Sequence, residues 1–520
     1  MTPAPAAGVT WRARGRRVVA AVVAVGLGLC ACTPADDERP SPAPSPPYTE
    51  RWRPQLHYTP PEGRLADPNG LVHDGRQWHL FHQQDGTWAH AVSPDAVHWT
   101  TLPTALEHDE LGQALSGSVV VDGADTSGLF DGPPGGLVAV YTSTVGGEAQ
   151  SLAYSSDGGL TWRRYVDNPV IANEGRTDFR DPKVFWHEPT RRWVMVVSTG
   201  DQIGLFGSTD LLRWVELSSF GRGQGLHSAV WECPDLFPLQ VDGDPERVRW
   251  VLTVSVGASD ATGGSTAQYF VGDFDGTTFT RDPSVPDDTV QLTDVGQDFY
   301  AAQSYEQAPD GRRVWIGWMG NWRYPYEAPT RPWTNAMSVP RDLDLRTVGG
   351  QVRLVQSPAP ELASLRGQPV RIGSRAIERD TPLPLGGPPY ELEAEIETGD
   401  AGRVGLRVLE SRGADGIVEE SVEVGYTAAD GGQVYLERTG GVLAGFAVRR
   451  SAAYRPTDGT VRLHLLVDAS SVEVFVDDGA LTGTMLAFPA GDGQGLSLVS
   501  EGGRPRLRSL TYWPLDSIWR

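Results

Sequence analysis

Three short stretches set a carboxylate where a merely solvating acid has little reason to sit. They are LADPNG (65–70), RTDFRDPK (176–183) and VWECPDLF (230–237), carrying Asp67, Asp181 and Glu232 among Pro, aromatic and small residues. Acids on wet surfaces usually keep company with Lys, Ser and Gly. An acid wedged between apolar neighbours has its pKa moved by desolvation and by its fellow acids, as acid–base catalysis requires. Any one stretch alone reads as a capped turn at a strand end; the three together read as a site. The chain's single lysine, Lys183, falls inside the second stretch, the other 43 of its 44 basic residues being arginine.

The elements that must position these acids are strands. From about 52 to 350 the chain shows short runs of period two, such as WHLFHQ (78–83) and RWVMVVS (192–198), punctuated by Gly, Asp and Pro. SPDAVHW, SSDGGLTW, STDLLRW and DFDGTTF each give a strand, an Asp-led turn and an aromatic opening the next strand. Those aromatics, Trp99, Trp162, Trp214 and Phe279, are read as core and lie 63, 52 and 65 residues apart. Four-strand repeats of this period predict propeller blades, and a last repeat at 299–345 makes five. Between the hairpins falls roughly one polar residue per repeat: Asp67, Ser116, Asp181, Glu232 and Gln303. On innermost strands these would converge on the axis.

After a connector (351–368) with a short helical turn, 369–520 alternates more cleanly. In YELEAEIE, Tyr390, Leu392, Ala394 and Ile396 share one face and the four glutamates the other, as in a sandwich of antiparallel sheets. The fold class is thus all-β, a five-bladed propeller (51–350) followed by a β-sandwich. No acid constellation stands out in the second part, which is read as support or substrate rim.

A net charge of −22 argues against nucleic-acid binding and suits a neutral substrate. Residues 1–31 carry four arginines and no acid, so their removal would take −22 to −26. Arg12, Arg14, Arg16 and Arg17 precede an apolar run (18–29) too short to span a bilayer, which reads as a secretory signal. The run closes on Leu29-Cys30-Ala31-Cys32, resembling a lipoprotein cleavage box with Cys32 as the lipidated residue; Cys30 follows Leu29 and fits less well. The Pro-rich segment 32–50 reads as a tether to the membrane. Cys233 is the only cysteine of the folded body, excluding an intrachain disulfide there, and reads as a buried, inert thiol. No metal or cofactor is expected: His79 and His82 lie in one strand pattern, and neither H-E-x-x-H nor a CxxC pair occurs.

With acids and blades in place, the chain resembles glycoside hydrolase family 32, the invertases, inulinases and levanases, most closely the bacterial levanases. Besides the acid motifs, the resemblance rests on RPQLHYTPPEG (53–63), HAVSPDAVHW (90–99), QYFVGDFDG (268–276), GWMGNWRYPYEAPTRPW (317–333) and SSVEVF (470–475). It implies a retaining β-fructosidase with Asp67 as nucleophile, Glu232 as general acid/base, and Asp181, with Arg180 beside it, stabilising the transition state. Two carboxyls about 5–5.5 Å apart would permit a covalent intermediate, and anionic neighbours would keep Glu232 protonated longer than an exposed Glu. The resemblance puts Ala66, Gln83, Trp88, Leu115, Ser116 and Trp318 around the terminal fructose. Two departures stand out: Arg64, Leu65 and Ala66 precede Asp67 where the family reads W-M-N, and the segment between Gln83 and Trp88 is short and lacks one rim aromatic. Two rivals are a related five-bladed arabinan hydrolase and a surface lipoprotein that binds fructans without cleaving them. Linkage preference, exo or endo attack and oligomeric state are not legible.

Overall fold

The computed structural model describes residues 48–519, which form one compact unit. The expected signal segment, Cys32 and most of the tether lie outside the described residues. Among those described, no helix is long and apolar enough to cross a membrane.

Five antiparallel blades follow one another in the chain, the first three as separate four-stranded sheets and the last two joined into one nine-stranded sheet by a parallel bridge between Val241 and Leu345. Their first strands are Pro68–His73, Ala114–Asp122, Lys183–His187, Trp231–Val241 and Tyr300–Ser304. These strands neighbour one another in ring order, and the fifth returns to the first, so the sheets form a closed five-bladed propeller around them. Closure is made by backbone pairing between the two ends of the ring. Gly63–Arg64 runs parallel to Trp333–Thr334, and the Glu306 N–H donates to the Leu71 carbonyl at 2.9 Å. The Asp-led turns recur as read: Asp95, Asp210 and Asp275 each accept two backbone N–H groups of their own turn.

The fifth blade runs past 350. Gln351–Pro358 pairs along its whole length with Arg341–Val348, so only the short 3₁₀ turn Pro360–Leu365 and its flanks connect the two parts. The second part packs a seven-stranded sheet on a six-stranded one around Leu392, Ile396, Val404, Leu406 and Val474. One of the four glutamates expected to be wet is not. Glu391 is 3% exposed, because Arg366 of the connector and His464 both bind its carboxylate.

Propeller and sandwich meet across buried ion pairs, a junction the alternation pattern could not show. Glu473, from SSVEVF, is fully buried and accepts from Val339 N at 2.9 Å, His57 Nε2 at 2.8 Å and the Arg341 guanidinium. Burial works to lower the His57 pKa but is outweighed by hydrogen bonds to Asp468 and Glu473, which push it up to about 9. Burial of Glu473 is likewise outweighed, first by the Arg341 charge, leaving it at about 2. The raised His57 pKa gives stability that is complete below about pH 6.5 and lost as pH rises through 9; the lowered Glu473 pKa gives stability complete above 4.5 and lost as pH falls towards 2. Glu473→Gln takes from the buried Arg341 and His57 one carboxylate each, leaving them Asp294 (3.1 Å) and Asp468 (2.7 Å), and is expected to cost about 1–3 kcal/mol. In denaturant titrations its deficit should be widest between about pH 4.5 and 6.5 and narrow on either side. A deficit that ignores pH would show that packing, not charge, holds the junction.

Candidate active site

The axial ends of the first strands are irregular in a shared way. Pairing with the second strand slips between Asn69 and Val72, Leu115 and Gly117, Glu232 and Asp235, and Tyr300 and Gln303. At these bulges Cys233 and Ala301 adopt left-handed φ values of 46° and 52°. In the third blade Asp181 itself, just before its strand, has φ 63°. Such residues cost of order 1 kcal/mol each and persist where re-aimed side chains are needed. Gly70 (φ 55°) is required beside Asp67, since a Cβ there would come within 2.7 Å of the Phe81 and Val119 side chains.

Three carboxylates meet in one cavity of about 530 Å³, lined by Asp67, Asp181 and Glu232 together with Ala66, Gln83, Leu115, Ser116, Glu148 and Arg180. A groove of about 600 Å³ beside Arg222 and Asp282 contains none of these acids, so chemistry rather than size picks out the axial cavity.

Asp67 Oδ2 accepts from Ser116 Oγ at 2.8 Å, while Oδ1 is buried without a protein donor. Behind it the Asn69 amide bridges Ser116 Oγ (3.3 Å) and Gln83 Nε2 (3.1 Å). Asp181, 3% exposed, accepts the Cys233 N–H at 2.9 Å. The Cys233 thiol lies 3.7 Å from Asp67 Oδ2 and 3.6 Å from Asp181 Oδ2. Burial and the surrounding acids push its pKa well up, so it is a neutral bridge between the two aspartates rather than a nucleophile. Burial, then the Glu232 charge, raises Asp67 to about 6 and Asp181 to about 7.

Glu232 is held from both sides. Arg180 donates from Nε (3.1 Å) and Nη2 (3.0 Å) to Oε1, and Tyr300 donates to Oε2 at 2.5 Å. Arg180 Nη1 in turn binds Glu148 and Asp178. Lys183 does not reach the cavity. Fully buried, it lies beside Asp235 (3.7 Å) and Glu306 (3.8 Å) and ties the third blade to the fourth and fifth.

Ala66, Gln83, Leu115, Ser116 and Arg180 therefore gather with the acids, whereas two expected pocket residues do not line the cavity. Trp88 is fully buried with its indole N–H on the Leu115 carbonyl, and Trp318 is buried edge-on behind Trp322, 5.0 Å away. Gln303, expected on the axis, is also buried off the wall; Tyr300 supplies the fifth blade's contribution. His79 and His82 point apart, to His90 and Tyr58. Sequence reading missed Glu148, Tyr300, Trp322, Tyr326 and Asp85 as site residues. Trp322 and Tyr326 lie in the aromatic-rich stretch 317–333 and help to wall the cavity. Glu148, in a Gly-Gly loop, gave no signal.

Comparison with known proteins matches residues 57–358 to the glycosyl hydrolases family 32 N-terminal domain and 361–514 to the glycosyl hydrolases family 32 C-terminal domain. The chain is 42% identical to a levanase of Bacillus subtilis (strain 168) over 493 residues, covering 91% of this chain and 72% of that protein. It is also 42% identical to a levanase of Bacillus sp. (strain L7) over 501 residues, covering 91% of this chain but only 53% of that one. The crystal structure of exo-inulinase from Aspergillus awamori superposes with a TM-score of 0.83 at 33% identity, covering 91% of this chain and all of that one.

Proposed function

The chain belongs to glycosyl hydrolase family 32, and on that premise we propose that it hydrolyses terminal β-fructofuranosyl linkages of levan- and inulin-type fructans, and of sucrose, with retention of configuration. The observation that carries this reading is the convergence of Asp67, Asp181 and Glu232 on one cavity, with Glu232 clasped by Arg180 and Tyr300. Asp67 attacks the anomeric carbon as Glu232 gives its proton to the departing oxygen, leaving a fructosyl ester on Asp67. Glu232 then takes a proton from water, whose oxygen attacks the same carbon and frees fructose. Asp181 and Arg180 hold the fructose hydroxyls, and Gln83, Leu115 and Ser116 complete the inner wall. Product chromatography on levan, inulin, sucrose and arabinan, with NMR of the first-formed anomer, tests this. Release of β-fructose first from β-fructosides supports it. Inversion, release from arabinan alone, or binding without release would overturn it.

The sandwich acts as support, through its Glu473 junction. Residues 1–31 direct export and Cys32 carries the lipid, with the Pro-rich tether between membrane and enzyme. Cys32→Ser is expected to release the protein from membranes or leave it unprocessed, read by fractionation and mass spectrometry. A variant still bearing lipid would shift the anchor to Cys30.

Ala66 lines the cavity beside Asp67 and offers no side-chain hydrogen bond. A fructose hydroxyl left without that partner forgoes about 1–3 kcal/mol. Sucrose has one fructosyl unit to supply nearly all its binding, whereas longer fructans reach contacts further out. Ala66→Asn should therefore raise kcat/KM on sucrose proportionately more than on long fructans. A fall on every substrate would mean that another side chain, such as Arg64, already fills the place.

A further inference from the structure

Three segments distant in sequence meet at the cavity mouth. Arg64 comes from the ring-closing strand, Asp85 from the tight turn between Trp78–Gln84 and Thr87–Ser93, and Tyr326 from the loop after Val314–Met319. Arg64 Nη2 lies 2.8 Å from Asp85 Oδ1, and the guanidinium sits 4.7 Å from the Tyr326 ring centroid. Tyr326 in turn packs edge-on against Trp322. All of them line the cavity that holds the three acids.

We propose that Arg64, fixed between Asp85 and Tyr326, is the specificity-determining contact for the sugar unit that leaves, the residue next to the terminal fructose in a fructan chain. The inference rests on the β-fructosidase reading and adds which residues sense the leaving group. Depth assigns the place. Asp181 at the floor is 3% exposed, whereas the Arg64 and Asp85 side chains are 51% and 55% exposed and Tyr326 is 46% exposed. A fructosyl unit seated against Asp67 and Asp181 fills the inner end, so the departing sugar must pass the mouth. Folding does not account for the trio, because an ion pair this exposed contributes little stability. What the arrangement does provide is a guanidinium held in one orientation by a carboxylate on its edge and a ring on its face. Such a fork presents fixed N–H donors, with the Asp85 carboxylate as a neighbouring acceptor, to a pair of adjacent hydroxyls. An aryl leaving group has no such hydroxyls.

The test compares kcat/KM of the full-length protein on a fructan trisaccharide and on an aryl β-fructofuranoside. Arg64→Ala should lower kcat/KM on the trisaccharide about 5–20-fold, mainly through KM, and change the aryl fructoside by less than about 2-fold. Asp85→Ala, which frees the guanidinium, should shift the same ratio in the same direction, and Arg64→Lys, which keeps charge but not the fork, should restore it only in part. Equal losses on both substrates, or no loss on the trisaccharide, would overturn the assignment while leaving the β-fructosidase reading in place. A wild-type protein that releases fructose from neither substrate would remove that reading and the assignment with it.

Discussion

Asp67→Asn will bring fructose release from every β-fructoside, aryl fructosides included, down to background, a loss on the order of 10⁴-fold or more. The amide cannot attack the anomeric carbon, and no leaving group, however good, bypasses that step. The same substitution should stabilise the protein at neutral pH. Burial and Glu232 hold Asp67 at about 6 in the fold against 3.8 as its ordinary value. The folded state therefore binds this proton more tightly than the unfolded one, and wild-type stability falls as pH rises from about 3.8 through 6. The variant lacks that term and should exceed wild type by roughly 1–3 kcal/mol above pH 6, the two converging below about 4. Ser116 can still donate to the amide oxygen, and the Asn nitrogen takes the position of Oδ1, which has no protein partner. The ionisation that costs stability is the one catalysis needs, so wild-type kcat/KM should decline below about pH 6 as Asp67 takes up its proton. Substantial turnover by Asp67→Asn, with an unmoved acid limb, would remove Asp67 from the nucleophile's role.

Glu232→Gln should lose about 10²–10⁴-fold on natural fructans, where the departing oxygen needs a proton, and distinctly less on an aryl fructoside. The isosteric amide keeps its place: its oxygen can still accept from Arg180, and its nitrogen faces the Tyr300 hydroxyl, which can accept. The loss then reports proton transfer rather than a displaced side chain. If both substrates fell equally, Glu232 would be acting on something other than the leaving group. This dependence on the leaving group also separates Glu232 from Arg64. Removing the acid should chiefly lower kcat, whereas trimming the rim should chiefly raise KM.

Much of this protein is written locally in its sequence. The propeller repeats are legible because each of the first four blades carries, before its last strand, a short-range device, an aspartate that accepts backbone N–H from its own turn, with a tryptophan or phenylalanine a few residues on. The three acids are legible because their immediate neighbours are wrong for solvated carboxylates. Alternation also gave the sandwich, through Leu392, Ala394 and Ile396. Only the tertiary structure decided which side chains reach the cavity. Strand alternation predicts a side chain's direction only while the register holds, and the first strands slip at the level of the site. A one-residue slip moves every following side chain to the other face. At this level Tyr300 and not Gln303 meets Glu232, while Trp88 lies behind Leu115 and Trp318 behind Trp322. The Arg64–Asp85–Tyr326 rim and the Glu473–Arg341–His57 junction depend on residues 21 to 416 positions apart, brought together by closure of the ring and docking of the sandwich. No local pattern encodes such a meeting, because each partner alone is an ordinary charged residue on an ordinary turn or strand.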